Sequence, residues 1–428
     1  MTKELKGTVA VIGLGYVGLP LALLSEKKGY SVIGIDINEK RVNDLKNHIA
    51  PFCDNAIAQQ LKTISFEATT DFSRVKEADT IIICVPTPVF ENHMPDLRPI
   101  EGACKNIAAH LQKGQLIILE STVNPGVCET VILPLLEKIS GLNADKDFYL
   151  AHCPERVNPG DAKWNVENIP RVIGSLEKIG LKKATEFYTS ILSGTIMQMA
   201  SIKEAEAVKV VENAFRDINI AFVNELAMSF SSLGIDVINV IEGAATKPFS
   251  FMAHFPGCGV GGHCIPVDPY YLIEYAKQSG FNHDFLSLAR RINNQMPAFT
   301  VKQLLNALRE KNISLTSARV ALLGLAYKPN VDDTRESPAF EIIKELKKHQ
   351  INFVTFDPHV PTKSTVKTLE EALKKVDAII IVTAHNEFKV LTPEDLRRHN
   401  ISIIIDGRNC LNKEAFVKAK ITYRGIGR

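Results

Sequence analysis

TVAVIGLGYVGLPLALLSEKKGYSVIGIDIN, residues 8–38, decides the fold. Thr8 to Ile12 is a short apolar run rich in β-branched residues, which predicts a buried strand. Gly13, Gly15 and Gly18 follow in GxGxxG spacing, Leu19 to Lys28 reads as a helix, and Gly29 ends it. Ser31 to Ile35 predicts a second strand, closed by Asp36. In such a unit Gly13 makes the tight turn, Gly15 admits a pyrophosphate to the backbone, and Gly18 lets helix and strand pack closely. The helix N-terminus offers free N–H groups to the phosphates. Tyr16 and Val17 lie inside the turn and fall beside the same ligand. Asp36, 18 residues past Gly18, is placed to accept hydrogen bonds from a ribose and to repel a 2′-phosphate. The stretch therefore predicts NAD rather than NADP, with Arg41 able to modulate the choice.

Outward from this unit the pattern repeats. ADTIIICVPTP (78–88), QLIILESTVNPG (115–126) and DFYLAHCPERVNPG (147–160) each read as a buried strand running into a polar turn. Ligands of parallel sheets lie beyond the carboxyl ends of strands. Thr87, Thr122, Glu155 and Arg156 therefore fall where a nicotinamide and its substrate meet, although threonines there also serve as helix caps or turn residues. Residues 201–233 contain no glycine or proline and predict a helix about 45 to 50 Å long. Lys209 and Asn213, four apart, share a face of it. A lysine on such a face can also simply reach out to solvent. After residue 314 the first theme returns. SARVALLGLAYKPN is a strand and glycine turn, INFVTFDPH a strand ending in Asp357, and VDAIIIVTAHNEF (376–388) echoes 78–90. This half lacks a full GxGxxG, having only Gly324 before Ala326, which suits a mononucleotide-like group better than a second NAD.

The fold expected is α/β. Two doubly wound, Rossmann-like domains (1–200 and 301–428) are joined by a central helical domain (201–300) with a long helix. A chain of 428 residues is long enough for such a division. At 45% hydrophobic and 23% charged, with a formal net charge of +2, it has a globular composition and no general field for nucleic acid or membranes. No run reaches 18 apolar residues, and no secretory signal is read. Eight cysteines without framework spacing suggest free thiols in a reducing compartment, and a cytoplasmic protein.

GVGGHCIPVDP (259–269) sets glycines before His263 and Cys264, with Asp268 four residues on. As metal ligands, Cys258, His263 and Cys264 lack the usual cysteine pair and a fourth partner, so no metal is expected. A buried cysteine would be ordinary. The crowd of Gly257, Gly259, Gly261 and Gly262 instead suggests a loop wrapped around a diphosphate. An NAD-using epimerase or a nucleotide-sugar sensor is the other reading. The usual Tyr-x-x-x-Lys pair of an epimerase does not follow a strand of the first domain, and a sensor has no need of Cys264, Lys209 and Asp268 together.

With VIGLGYVGLP, VPTP, ESTVNPG, CPERVNPG, AEAVKVVENAF, GVGGHCIPVDP and GLAYKPNVDDTRESP in order, the sequence resembles the UDP-glucose/GDP-mannose dehydrogenase family over nearly its whole length. The resemblance implies oxidation of the C6 alcohol of a nucleotide sugar to a carboxylate with two NAD⁺. It is closest to enzymes of UDP-N-acetylglucosamine, then of UDP-N-acetylmannosamine. Pro159 stands where some UDP-glucose enzymes carry a second glutamate, which argues against UDP-glucose. By resemblance Cys264 is the nucleophile, Lys209 and Asn213 stabilise oxyanions, Asp268 and Thr122 hold a water, and Glu155 is a general base. Lys328 and Gly261 contact the UDP-sugar, Arg335 the cofactor side, and Lys247 a phosphate across a subunit boundary. A homodimer through the long helix is also implied.

Overall fold

The computed structural model describes residues 6–52, 55–64, 66–90, 94–144, 146–157 and 163–428, so Cys53 and Pro159 lie outside the described residues. Contacts divide the chain into two compact units. The first runs through Glu212 and includes Tyr270–Gly280; the second takes Asn213–Pro269 and Phe281–Arg428.

In the first unit the strands are β1 (Thr8–Ile12), β2 (Ser31–Ile35), β3 (Glu67–Thr69), β4 (Thr80–Ile83), β5 (Leu116–Leu119), β6 (Tyr149–His152), β7 (Arg171–Ser175) and β8 (Ile196–Gln198). They form one sheet in the order β3-β2-β1-β4-β5-β6-β7-β8. The first six are mutually parallel; β7 runs antiparallel to β6. Buried Val, Ile and Leu on both faces explain the continuous apolar runs, as a parallel sheet covered on two sides requires. The reversal of order at β1 opens a crevice beyond the strand ends, and every turn singled out above, from Gly13 to Glu155, lies at that end.

In the second unit β9 (Arg319–Leu323), β10 (Asn352–Phe356), β11 (Ala378–Ile381), β12 (Ile403–Asp406) and β13 (Thr422–Gly425) form a parallel sheet in the order β10-β9-β11-β12-β13. β11 pairs with β9 as β4 pairs with β1, so the echo between 376–388 and 78–90 reflects equivalent strands. The long helix spans Ile202–Leu233, within one residue of expectation. Residues 201–300, expected as a helical middle, contribute to both units. The helix Asp284–Glu310 passes unbroken through the boundary set at 300. The segment 213–269 is stitched to the second unit: Cys258 N–H donates to Gly407 O at 3.0 Å and Val237 N–H to Gly427 O at 2.8 Å.

Candidate functional site

The glycine turn of the first unit closes on itself. A Cβ on Gly18 would stand 1.9 Å from the Gly13 carbonyl oxygen, and one on Gly13, at φ +92°, would meet the Cys84 carbonyl oxygen at 2.8 Å. Gly15 is different, because a Cβ there would touch nothing within 4 Å. Its openness leaves backbone accessible to a pyrophosphate, the fit that a dinucleotide needs. Tyr16 is exposed beside it and stacks on Phe52 with ring centroids 4.1 Å apart. Asp36 ends β2 and is nearly buried. Its carboxylate accepts from Leu14 N–H at 2.8 Å, Asn38 N–H at 2.9 Å and the Arg41 guanidinium at 2.8 Å. Arg41 is thus the partner of Asp36, and Val17 precedes the helix Gly18–Lys27 that supplies the free N–H groups.

Beyond β4 and β5, the loops carrying Thr87 and Thr122 are held by the helix Asp268–Gln278. Tyr271 donates its hydroxyl to Thr87 O at 2.7 Å, and Asn124 donates to Tyr271 O at 3.2 Å. Glu206, buried on the long helix one turn before half-buried Lys209, accepts from Gly126 N–H and from Cys128 N–H, the latter at 2.8 Å. Burial raises its carboxyl and the two N–H donors pull the other way. Glu155, beyond β6, accepts from Arg171 at 3.1 Å and from Val157 N–H. Arg156 turns aside to pair with Glu212 and to donate to Pro170 O at 2.9 Å. Those bonds give it a structural use beside the expected substrate contact.

In the second unit the Cys264 loop packs on its own protein. A Cβ on Gly261 would meet Tyr327 Cβ and Glu336 O, each at 2.8 Å; one on Gly262, at φ +93°, would meet the Tyr327 ring at 2.8 Å. One on Gly257 would meet the Arg408 guanidinium at 2.6 Å. Three of the glycines are accounted for by close approach to Tyr327, Glu336 and Arg408, and Gly259, at φ +135°, by close approach to Pro338, so the loop has a packing demand of its own beside the expected diphosphate. Cys264 is half-buried, and its carbonyl accepts from Asp268 N–H at 2.8 Å, so the thiol residue opens the helix that begins at Asp268. Asp268 is buried and accepts from Asn213 Nδ2 at 2.5 Å, joining the long helix to this turn. His263 is exposed. Gly262 N–H donates to Arg335 O at 3.1 Å. The Arg335 guanidinium is held in its charged form first by its hydrogen bond to Asp333, with smaller electrostatic contributions from Tyr327 and from Cys264 as a thiolate, so Arg335 lies within electrostatic reach of the sulfur. A cation so placed suits a nucleophilic thiol.

The turn after β9 repeats the first device with a different ending. Asp357 accepts from Leu325 N–H at 2.6 Å and Ala326 N–H at 2.8 Å, as Asp36 does from Leu14, and then from His385 Nε2 at 3.0 Å. The other ring nitrogen accepts from Asn330 N–H at 2.9 Å, which fixes the tautomer. Both side chains are fully buried, so the acid that would receive a ribose is sealed. The grouping of His359, His385 and Glu387 resembles a metal cluster, but His385 has no nitrogen left to give. Lys328, half-buried, follows this turn, while exposed Lys247 lies over the Phe249 ring at 4.8 Å.

Residues 7–192 match the NAD binding domain of the UDP-glucose/GDP-mannose dehydrogenase family, residues 203–295 its central domain and residues 321–413 its UDP binding domain. The chain belongs to that family. It is 39% identical over 427 residues to a UDP-N-acetyl-D-mannosamine dehydrogenase of Pyrococcus horikoshii, covering 98% of this chain and 99% of the relative. It is 40% identical over 405 residues to a UDP-N-acetyl-D-glucosamine 6-dehydrogenase of Pseudomonas aeruginosa, covering 92% and 94%. A solved structure of the Pyrococcus horikoshii UDP-D-ManNAc dehydrogenase superposes with a TM-score of 0.92 over 98% of this chain and 99% of that one, at 38% identity.

As an NAD-dependent dehydrogenase of this family, the protein carries site residues that sequence reading passed over. Tyr327 and Arg408 brace the cysteine loop, Glu206 pins the loop after Thr122, and Arg171 grips Glu155. Tyr327 and Glu206 lie inside the quoted GLAYKPN and AEAVKVVENAF, but nothing in those motifs marks what each side chain holds. None of the others is marked by spacing, because each acts on a segment distant in the chain.

Proposed function

We propose that the protein oxidises the C6 alcohol of a UDP-N-acetylhexosamine, of gluco or manno configuration, to the uronic acid. NAD⁺, which the Gly13–Gly18 turn and Asp36 would hold, would supply the hydride acceptor for each of two oxidations. Between them the Cys264 sulfur adds to the C6 aldehyde, because an aldehyde has no leaving group and must become a tetrahedral adduct before it can lose a second hydride. The adduct becomes a thioester on Cys264, and water hydrolyses it to the carboxylate and the free thiol. Lys209 and Asn213 stabilise the oxyanions, Asp268 and Thr122 hold the water, and Glu155 takes its proton. Gly13, Gly15, Tyr16, Val17, Gly18, Asp36 and Thr87 hold the cofactor. Lys328, Gly261, Arg156 and Lys247 serve the UDP-sugar, and Arg335 serves the cofactor side. In this reading residues 1–200 bind NAD, 201–300 bring the lysine, the cysteine loop and a dimer seam, and 301–428 bind the UDP-sugar.

The observation that carries the reading is the Asn213–Asp268 bond. It ties the residue one turn beyond Lys209 to the residue four beyond Cys264, the arrangement expected if helix and loop serve one reacting carbon. The test is single-turnover product analysis by mass spectrometry with a panel of UDP-sugars. The parent protein should reduce two NAD⁺ per UDP-N-acetylhexosamine, pass through a thioester on the Cys264 peptide, and turn over UDP-glucose poorly. Cys264→Ser should keep ligand binding and lose at least a thousandfold in uronic acid formation, about 4 kcal/mol on the barrier. Uronic acid made by Cys264→Ser at the parent rate would overturn the reading.

A further inference from the structure

Behind Glu155, in the first unit, stands a second carboxylate that the reaction scheme leaves idle. Glu120 follows β5 and is buried. Tyr188, from the helix Lys178–Ile191, donates its hydroxyl to one Glu120 oxygen. Arg171 opens β7 and is fully buried; it lies 3.5 Å from the other Glu120 oxygen and 3.1 Å from Glu155. The same guanidinium donates to Pro154 O at 3.5 Å, so it grips both the Glu155 carboxylate and the backbone just before it. The remaining titratable groups packed here are the thiols of Cys84 and Cys153, both pushed up by burial and therefore neutral. Two carboxylates thus divide one fully buried guanidinium.

A buried charge is tolerated only when it is paired. Two anions against one cation leave one negative charge over, and binding a single proton removes it. Burial holds the Glu120 carboxyl above the ordinary carboxylate range, against the pull of Arg171. Glu155, partly exposed, is the member that solvent can reach. We infer that Arg171 and Glu120 are positioning residues for Glu155: the guanidinium aims the Glu155 carboxylate, and Glu120 competes for that guanidinium, so the pair sets the pH range of thioester hydrolysis. This rests on Glu155 being the base of thioester hydrolysis. A purely structural ion pair linking β5, β7 and the Tyr188 helix would affect folding stability and leave that range alone.

The experiment follows decay of the Cys264 thioester in the full-length protein by rapid quench and mass spectrometry. It uses NAD⁺ and whichever of UDP-N-acetylglucosamine and UDP-N-acetylmannosamine is turned over, across a pH series. A base works ionised, so the rate falls as pH falls. Glu120→Gln leaves the whole guanidinium to Glu155, and the acid limb should move down by about one pH unit. Tyr188→Phe lets Glu120 keep its proton and should move the limb the same way by less. Arg171→Met removes the cation and should move it up by about one unit or more. Arg171→Lys, which retains charge without the fork, should restore part of that displacement. If Arg171→Met does not fold, Glu120→Gln and Tyr188→Phe decide. Acid limbs coinciding with the parent's, or displacements of one sign in Glu120→Gln and Arg171→Met, would overturn the inference. Glu155→Gln separates the two levels. If it hydrolyses thioester at the parent rate, the base assignment fails and the inference with it. If it is slow while the other limbs stay still, only the inference fails.

Discussion

Asp36 shows how one side chain carries both a turn and a choice of cofactor. Its carboxylate already accepts from Leu14 N–H, Asn38 N–H and Arg41, so it is held in place before a ribose arrives. Asp36→Ala should weaken NAD⁺ binding by about 1.5 to 3 kcal/mol, on the order of 10- to 150-fold, because hydrogen bonds to a charged acceptor are lost. The same change releases Arg41 from its partner, so NADP⁺, poor with the parent, should gain relative to NAD⁺. Titration of both cofactors by fluorescence checks this, and equal use of the two by the parent protein would sink it. Asp36 was legible because its strand, glycines and helix are contiguous. Arg171 was not: its meaning depends on Glu120 and Glu155, 51 and 16 residues away.

Elements were legible in proportion to how local their causes are. β1, the glycine turn and β2 follow from spacing within about thirty residues, and the long helix from the absence of breakers. The antiparallel β7 was not read, because nothing local in RVIGS marks which neighbour it joins. The cysteine loop was read as glycine-demanding, and the packing part of that demand, from Tyr327 and Glu336 more than sixty residues on, has no local signal. The turn after β9 allows a pH prediction. Burial alone would raise the Asp357 carboxyl, but His385 and the Ala326 and Leu325 N–H groups outweigh it and hold it at about 2, below the ordinary value of 3.8. A depressed carboxyl stabilises the fold above its unfolded value and loses that contribution as pH falls toward the folded one. Stability of the second unit should therefore drop between about pH 4 and pH 2, and Asp357→Asn should flatten that part of the curve. Thermal unfolding at a series of pH values checks it; an unchanged slope in Asp357→Asn would refute it.

At the scale of the whole molecule, no helix among the described residues is long and apolar enough to cross a membrane, yet the second unit exposes much apolar surface. Phe215 and Phe222, seven apart on the long helix, are about half exposed, and Leu233, Val240, Phe249, Met252 and Phe255 continue the series. Surface of this kind marks an interface. A homodimer is expected by light scattering at micromolar concentration, and Phe222→Asp should shift it toward monomer; a monomeric parent would defeat the proposal. The two sheets were legible as a repeat because parallel buried strands leave unbroken apolar runs. The division of 201–300 between units was not, since it depends on which sheet each segment packs against. The thiols also have a practical consequence. Among the described cysteines, burial pushes Cys84, Cys104, Cys128, Cys153, Cys258 and Cys410 up and so mutes them toward electrophiles. Cys264 is half-buried on the loop that leads into the helix Asp268–Gln278, with the Arg335 guanidinium in reach. Among the described cysteines a mild alkylating reagent is therefore expected to prefer Cys264, and a UDP-sugar at the proposed site should protect that thiol from the tag.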